Sequence, residues 1–394
     1  MRLNSIVSQR DLADVRAIMI DFADRTGLLT AGNAPQRYLW TDAFAVCAFL
    51  SLFKVTGDEE FLRLATSLID QVHETLGRHR QDDSQTGWIS GLDEEQGRRH
   101  PTAGGLRIGK RLNERAEDQP FDERQEWDRD GQYFHYLTKW MHALERAAVV
   151  TSNASYCRWA IELAEAAHAA FTYETTDGGV KRMYWKMSID LSRPLVPSMG
   201  HHDPLDAFVT YSELEHCRAV HCADAALPEL QTQIRDAAAM CAGQSWVSED
   251  PLGLGGLLID AYRISQLQTV DATAPGPELE QLLADARAGL STFVNHYLLH
   301  APADYRLAFR EFGLSVGLRA VKALHERIDG KHVSSSETTA DELEKLMWFL
   351  PMAEQIETFW RQPDNQTAST WRDHRDINSV MLATSLLPQQ FLLV

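Results

Sequence analysis

Apolar positions along this chain recur at two kinds of helical spacing. Residues 11–25 place Leu12, Val15, Ile18, Met19 and Phe22 on one face, and Gly27 ends the run. Residues 38–55 differ. Leu39, Phe44, Val46, Phe49, Leu50, Leu52 and Phe53 make that segment apolar nearly all round, the pattern of a helix covered on most sides. Gly57 stops it, and Asp58 caps a second one-faced helix over 59–76. The alternation continues. Apolar-all-round helices are predicted at 133–150, 202–223, 252–267, 303–324 and 373–387, and one-faced partners at 156–171, 228–241, 277–300 and 341–360. The glycines Gly253, Gly255 and Gly256 let the helix at 252–267 approach a neighbour closely, at a cost in helix propensity.

Two stretches break the rhythm. Residues 78–126 carry many glycines and two prolines with no helical period, and read as a binding loop or lid. Residues 172–203 follow the same logic: Asp177-Gly178-Gly179 is a turn signal, and the alternation over 180–189 suits a short strand or hairpin arm. Ser334-Ser335-Ser336-Glu337 is a further polar break. No linker divides the chain. The expectation is one all-α domain over residues 1–394: an (α/α)6 toroid of six inner and six outer helices, with the insertions at 78–126 and 172–203 lying over the mouth where inner helices begin. An open solenoid is the rival. Closure is preferred because the first helix is of the outer type and the last of the inner type, so the two can pair across a seam.

Composition changes this picture little, but charge narrows the partners. The formal net charge of −18 opposes nucleic acid and anionic membrane, neither of which is expected as a partner. The first residues, Met1 to Ser5, lack the apolar run of a secretion signal, and the longest apolar stretch is too short to span a bilayer. Five scattered cysteines, an odd number, read as reduced thiols. A cytoplasmic protein is expected. The sequence leaves its oligomeric state open.

The starts of the apolar helices gather aromatic rings and acids, near Trp40, Trp127, His202, Trp246, Tyr305 and Trp371. In a toroid these ends converge on one pit. Ring faces stack on the C–H faces of sugars, and carboxylates accept from sugar hydroxyls. Trp40, Asp42, Trp127, Tyr133, Trp185, His201, Arg310, Trp371 and His374 are therefore candidate substrate-binding residues. Asp128, Asp130, Asp203 and Glu311 are candidate acids and bases, because burial raises one carboxyl pKa while a solvated neighbour stays ionised. Each has a plainer reading. Asp42, Asp203, Asp250 and Asp373 could be helix caps, and Glu311, beside Arg310 in an apolar helix, could be half of a buried ion pair. His202 stands at a loop-to-helix junction where an imidazole can move protons near neutral pH.

Metal and nucleotide chemistry are not expected. His216-Cys217 and His221-Cys222 are five apart, which rotates the pairs away from each other on a helix. Residues 104–111 nearly match a phosphate-binding loop, but Arg111 stands where Ser or Thr should hold magnesium and no strand precedes it. Arg107 and Lys110 remain candidates for cradling a carboxylate or phosphate on a substrate. No cofactor is expected.

This alternation resembles the six-hairpin glycosidase superfamily over nearly the whole chain. The resemblance implies a carbohydrate-active enzyme with its cleft at one mouth, often a hydrolase using two carboxylates. Gly200-His201-His202 before an apolar helix also looks like the N-acylglucosamine 2-epimerase branch, where a histidine so placed abstracts a proton. The expected function is thus glycoside hydrolase-like, acting on a small-molecule or oligosaccharide substrate. The alternatives are a sugar epimerase or isomerase with a His base, and a non-catalytic ligand-binding or scaffold toroid.

Overall fold

The computed structural model describes residues 8–29, 36–176, 179–222, 227–267, 276–296, 299–330 and 336–394. The turn expected at Asp177-Gly178 and the first part of the break at Ser334-Ser335 lie outside them. The chain divides into two compact units. One takes the chain through Phe22 with Ser51–Gly57 and Cys241–Val394; the other comprises Ala23–Leu50 and Asp58–Met240.

In the second unit the helices Phe134–Thr151 and Ala154–Phe171 run as a hairpin. Ser152 turns the chain at φ 58°, and the Asn153 side chain caps the next helix by accepting from Ser155 N–H at 3.0 Å. Asp203–His221 packs on both of them. Leu39 to Leu50 are all buried, as their uniform apolarity predicts. The Leu39–Thr56 helix is long and apolar enough to cross a membrane, but 78% of that span is buried within the protein, which accounts for its composition.

The segment 78–126 is less shapeless than its glycines suggest. It contains helical turns at Glu94–Arg99 and Glu123–Asp128, each capped by the preceding aspartate, Asp93 or Asp122. Gln132 pins the segment from below. Its amide accepts from Leu106 N–H at 2.8 Å and donates to Gly104 O at 3.0 Å and Ile189 O at 2.7 Å. The hairpin arm expected over 180–189 forms two short strands. Arg182–Met183 pairs with Thr172–Tyr173, and Lys186–Met187 lies between Gln132–Tyr133 and Pro194–Val196.

In the first unit Pro251–Leu267 crosses Ala308–Asp329 backbone to backbone. A Cβ on Gly255 would lie 2.0 Å from Gly313 O, and one on Gly317 would lie 2.7 Å from Gly255, so the approach expected of the glycines is made at Gly255. Glu357 joins three helices, accepting from Ser315 Oγ, Ser385 Oγ and Arg319 at 2.9, 2.6 and 2.6 Å. Two boundaries differ from expectation. The helix expected over 341–360 is two, Glu337–Met347 and Pro351–Trp360, because a proline ring inside a helix displaces the preceding carbonyl. The helix expected from 303 begins at Ala308, after a single turn at Ala303–Tyr305.

Candidate functional site

The second unit brings three apolar helices together at their N-terminal ends, around a floor of rings. Trp40 lies 5.9 Å from His135 and 5.2 Å from Tyr136, centroid to centroid. Strand pairing of Tyr133 with Lys186 sets Trp185 beside it, so that Tyr133 stacks on His135 at 5.4 Å and Trp185 lies nearly parallel to His135 at 6.2 Å. Trp127, 46% exposed, meets Trp185 edge-on at 5.2 Å. Tyr38 and Tyr136 share a hydroxyl–hydroxyl hydrogen bond of 2.7 Å.

Acidic groups stand at this floor. Asp203 Oδ1 lies 3.9 Å from His135 Nδ1, and Asp203 Oδ2, His135 Nδ1 and Trp40 Nε1 are buried without a hydrogen-bond partner among the described residues. Buried polar atoms are almost always paired, so three left over in one place mark a seat for something polar. Burial, reinforced by the negative charge of Asp206, pushes the Asp203 carboxyl up to about 7, against the opposing pull of a Gly200 N–H and Lys139. Asp206 is held by Lys139 and by Thr138 Oγ1 at 3.1 Å. Burial takes His135 the other way, down to about 4, although Asp206 favours its cation. Asp203 is not the cap of its helix: His202 occupies that position, without a side-chain capping bond.

Three other residues expected in the site, Asp130, Arg107 and Asp42, hold the scaffold, while Asp128 and His201 are exposed. Asp130 is fully buried and takes four donors: Arg80 Nη1 at 3.1 Å, Arg107 Nη1 at 3.0 Å, Gly109 N–H at 2.9 Å and its neighbour Gly131 N–H at 3.1 Å. Arg107 also donates to Arg78 O and Thr75 O, so it ties loop to helix rather than facing a ligand. Asp42 accepts from Tyr38 N–H at 3.0 Å and faces Arg37 at 3.4 Å; burial nevertheless lifts it to about 6. Asp128 is exposed at the end of its helical turn. His201 is exposed and leans on His202, rings 4.7 Å apart.

Glu311, Arg310, Trp371 and His374 belong to the first unit. Glu311 is fully buried in a bidentate pair with Arg306, at 2.9 and 2.7 Å, and accepts from Trp360 Nε1 at 2.7 Å. Arg310 pairs with Asp250 at 2.5 Å, and Asp250 also caps its helix through Gly253 N–H at 2.9 Å. Trp371 stacks on Trp360 at 5.6 Å, and His374 meets Phe309 edge-on at 5.8 Å. Sequence reasoning passed over His135, Tyr136 and Lys139 as site residues. Their i, i+4 spacing from 135 to 139 on an otherwise apolar helix was the available signal.

No family model and no curated protein matches this sequence. Solved structures do. An inactive variant of the α-1,6-mannanase GH76A of Salegentibacter sp. HEL1_6, in complex with α-1,6-mannotriose, superposes with a TM-score of 0.53 at 13% identity, over 97% of this chain and 99% of that one. A GH76 α-mannanase of Bacteroides thetaiotaomicron gives 0.54 at 9% identity, over 97% of both. A D-mannose isomerase gives 0.48 at 12% identity, over 99% of this chain and 100% of that one. The fold expected from the alternating helices is the fold found: an all-α (α/α)6 toroid, shared with these mannanases.

Proposed function

We propose that this protein is a carbohydrate-active enzyme, glycoside hydrolase-like, with Asp203 as its general acid. The observation that carries the reading is a carboxyl raised to about 7, with one oxygen unmatched, at a floor of indole and phenol rings. Such a group keeps its proton near neutral pH and can pass it to the oxygen of a departing sugar. Asp130 is saturated with donors and acts as a positioning residue, which leaves Asp128, exposed beside Trp127, as the carboxylate that takes a proton from the attacking water. The mannanases with the same fold make α-1,6-manno-oligosaccharides the first substrates to try. Asp203→Asn should remove turnover of whichever glycan the wild type cleaves without lowering the melting temperature; retained turnover would dismiss the assignment.

A second reading rests on His135. An imidazole pushed down to about 4 is neutral at pH 7, and its buried Nδ1 has no hydrogen-bond partner among the described residues. It is therefore equipped to abstract a proton from a sugar carbon, as an isomerase or epimerase requires. Incorporation of solvent deuterium into recovered aldoses, lost in His135→Gln, would favour it over hydrolysis.

A further inference from the structure

Lys110 differs from the other cations around the ring floor. Arg80 and Arg107 are committed to Asp130, Lys186 to Glu126, Lys139 to Asp206 and Arg37 to Asp42. The Lys110 ammonium instead lies 5.4 Å from the centre of the Tyr38 ring, half-buried, with no hydrogen bond or ion pair among the described residues. Burial lowers its pKa, and Asp128, acting from an exposed turn, opposes this without forming an ion pair. A ring face alone supplies no hydrogen-bond acceptor for the ammonium's N–H donors. A partly desolvated ammonium is better matched by an anion, through a charge-assisted hydrogen bond.

Contacts connect this ammonium to the candidate acid. The Tyr38 hydroxyl meets the Tyr136 hydroxyl at 2.7 Å, the Tyr136 and His135 rings are 4.8 Å apart, and His135 faces Asp203 at 3.9 Å. Trp40, against both His135 and Tyr136, presents an indole N–H that lacks an acceptor among the described residues. Lys110 and that indole are donor-only groups, and a carboxylate is acceptor-only.

We propose that the ring floor accepts an acidic sugar, a hexuronic acid unit whose carboxylate pairs with Lys110. The inference rests on the reading of this floor as a saccharide site. A carboxylate fits better than a phosphate. A phosphate dianion is held by several cations or by a run of backbone N–H groups, whereas the neighbouring cations here are already committed.

The test is a tryptophan-fluorescence titration of the full chain with a glucuronate-containing trisaccharide, its carboxyl-reduced neutral counterpart and the corresponding sugar phosphate. The wild type should bind the uronate roughly tenfold more tightly than the neutral sugar, a difference that shrinks as salt is raised. In Lys110→Met that ratio should fall toward one, and Lys110→Arg should keep part of it. Equal wild-type affinities for the acidic and neutral sugars, or a ratio that Lys110→Met leaves intact, would overturn the inference while sparing the saccharide site. A phosphate bound more tightly than the uronate would overturn the carboxylate assignment. Failure of every sugar to bind would remove the saccharide reading as well.

Discussion

His135 Nδ1 and Asp203 Oδ1 face each other at 3.9 Å from the first turns of two different helices, and each side chain keeps a buried polar atom unmatched. Burial acts on them in opposite directions, raising the acid to about 7 and lowering the base to about 4. Between those values both are neutral. A neutral pair costs less to bury than a charged one, and it holds a transferable proton on one side and a free lone pair on the other.

The first prediction concerns Asp203 and pH. Its folded pKa is raised above the ordinary carboxylate value. The unfolded chain therefore loses that proton first, and the group's contribution to stability is full in acid and is lost as pH rises through about 7. Asp203→Asn, which cannot ionise, should match the wild type in unfolding free energy near pH 4 and exceed it at pH 8, by on the order of a few kcal/mol, with the melting temperature moving in the same direction. The wild-type rate should fall on the alkaline side of pH 7 as the acid loses its proton. A melting temperature of Asp203→Asn that tracks the wild type at every pH would show that the carboxyl is not desolvated.

For His135 the sign reverses. A lowered imidazole pKa gives stability that is present above the ordinary histidine value and is lost as pH falls through about 4. The His135 ring should titrate by NMR with a midpoint well below the ordinary histidine value, and His135→Gln should remove the corresponding acid limb from the stability profile.

The two aspartates that follow Trp127 should respond differently. Asp130 receives four donors in the interior, from two loop arginines and two backbone amides. Truncating one partner of such a network leaves buried charges unmatched, at roughly 3–5 kcal/mol. Asp130→Ala should lower stability by that order and open residues 78–126 to limited proteolysis. Asp128→Asn removes an exposed group and should leave stability within about 0.5 kcal/mol, while reducing turnover. Equal protease sensitivity of the two variants would contradict the division of labour.

Why the helices were legible and the site only partly so follows from these cases. Leu39 to Leu50 are apolar at nearly every position because every side of the helix is covered, and that pattern is written in adjacent residues. The roles of acids are not. Asp130 and Asp128 look alike in sequence, and what separates them is the pair Arg80 and Arg107, 50 and 23 residues away in the chain. Asp203 read either as a catalytic acid or as a cap, and what separates these is the burial around it and the charge of Asp206, which raise its carboxyl to about 7. Glu311 read either as a catalytic acid or as an ion pair with the adjacent Arg310. The structure pairs it with Arg306 instead, because five residues back the chain is still extended and can bring a guanidinium over the helix start. Pro351 was a visible breaker, and the apolar period on both sides of it masked the interruption.

The Arg306–Glu311 pair carries its own prediction. Both side chains are at most 1% exposed, and the Arg306 guanidinium also lies 3.7 Å from the centre of the Phe359 ring. Glu311→Ala should destabilise the chain by roughly 3–5 kcal/mol, since it strands a buried guanidinium. Any loss of turnover should follow the folded fraction, so that activity per folded molecule at low temperature stays at the wild-type level. A drop in that normalised rate without a fall in melting temperature would return Glu311 to the reacting groups.

Two adjacent glycines give the last contrast, because they differ only in what faces them. At Gly255 an added Cβ would press to 2.0 Å from Gly313 O and 2.7 Å from Leu314 N, both backbone atoms that cannot swing aside. The helices Pro251–Leu267 and Ala308–Asp329 would have to separate, loosening the packing of Leu254, Leu257 and Leu314. Gly255→Ala should cost on the order of 1–3 kcal/mol, as overpacked cores do. At Gly256 nothing lies within 4 Å of the same atom, and alanine there gains helix propensity without meeting a neighbour. Gly256→Ala should stabilise the chain by up to about 1 kcal/mol. Denaturant midpoints of the two variants should therefore move to opposite sides of the wild type. A Gly255→Ala midpoint at or above the wild type would mean that the two backbones are not in contact.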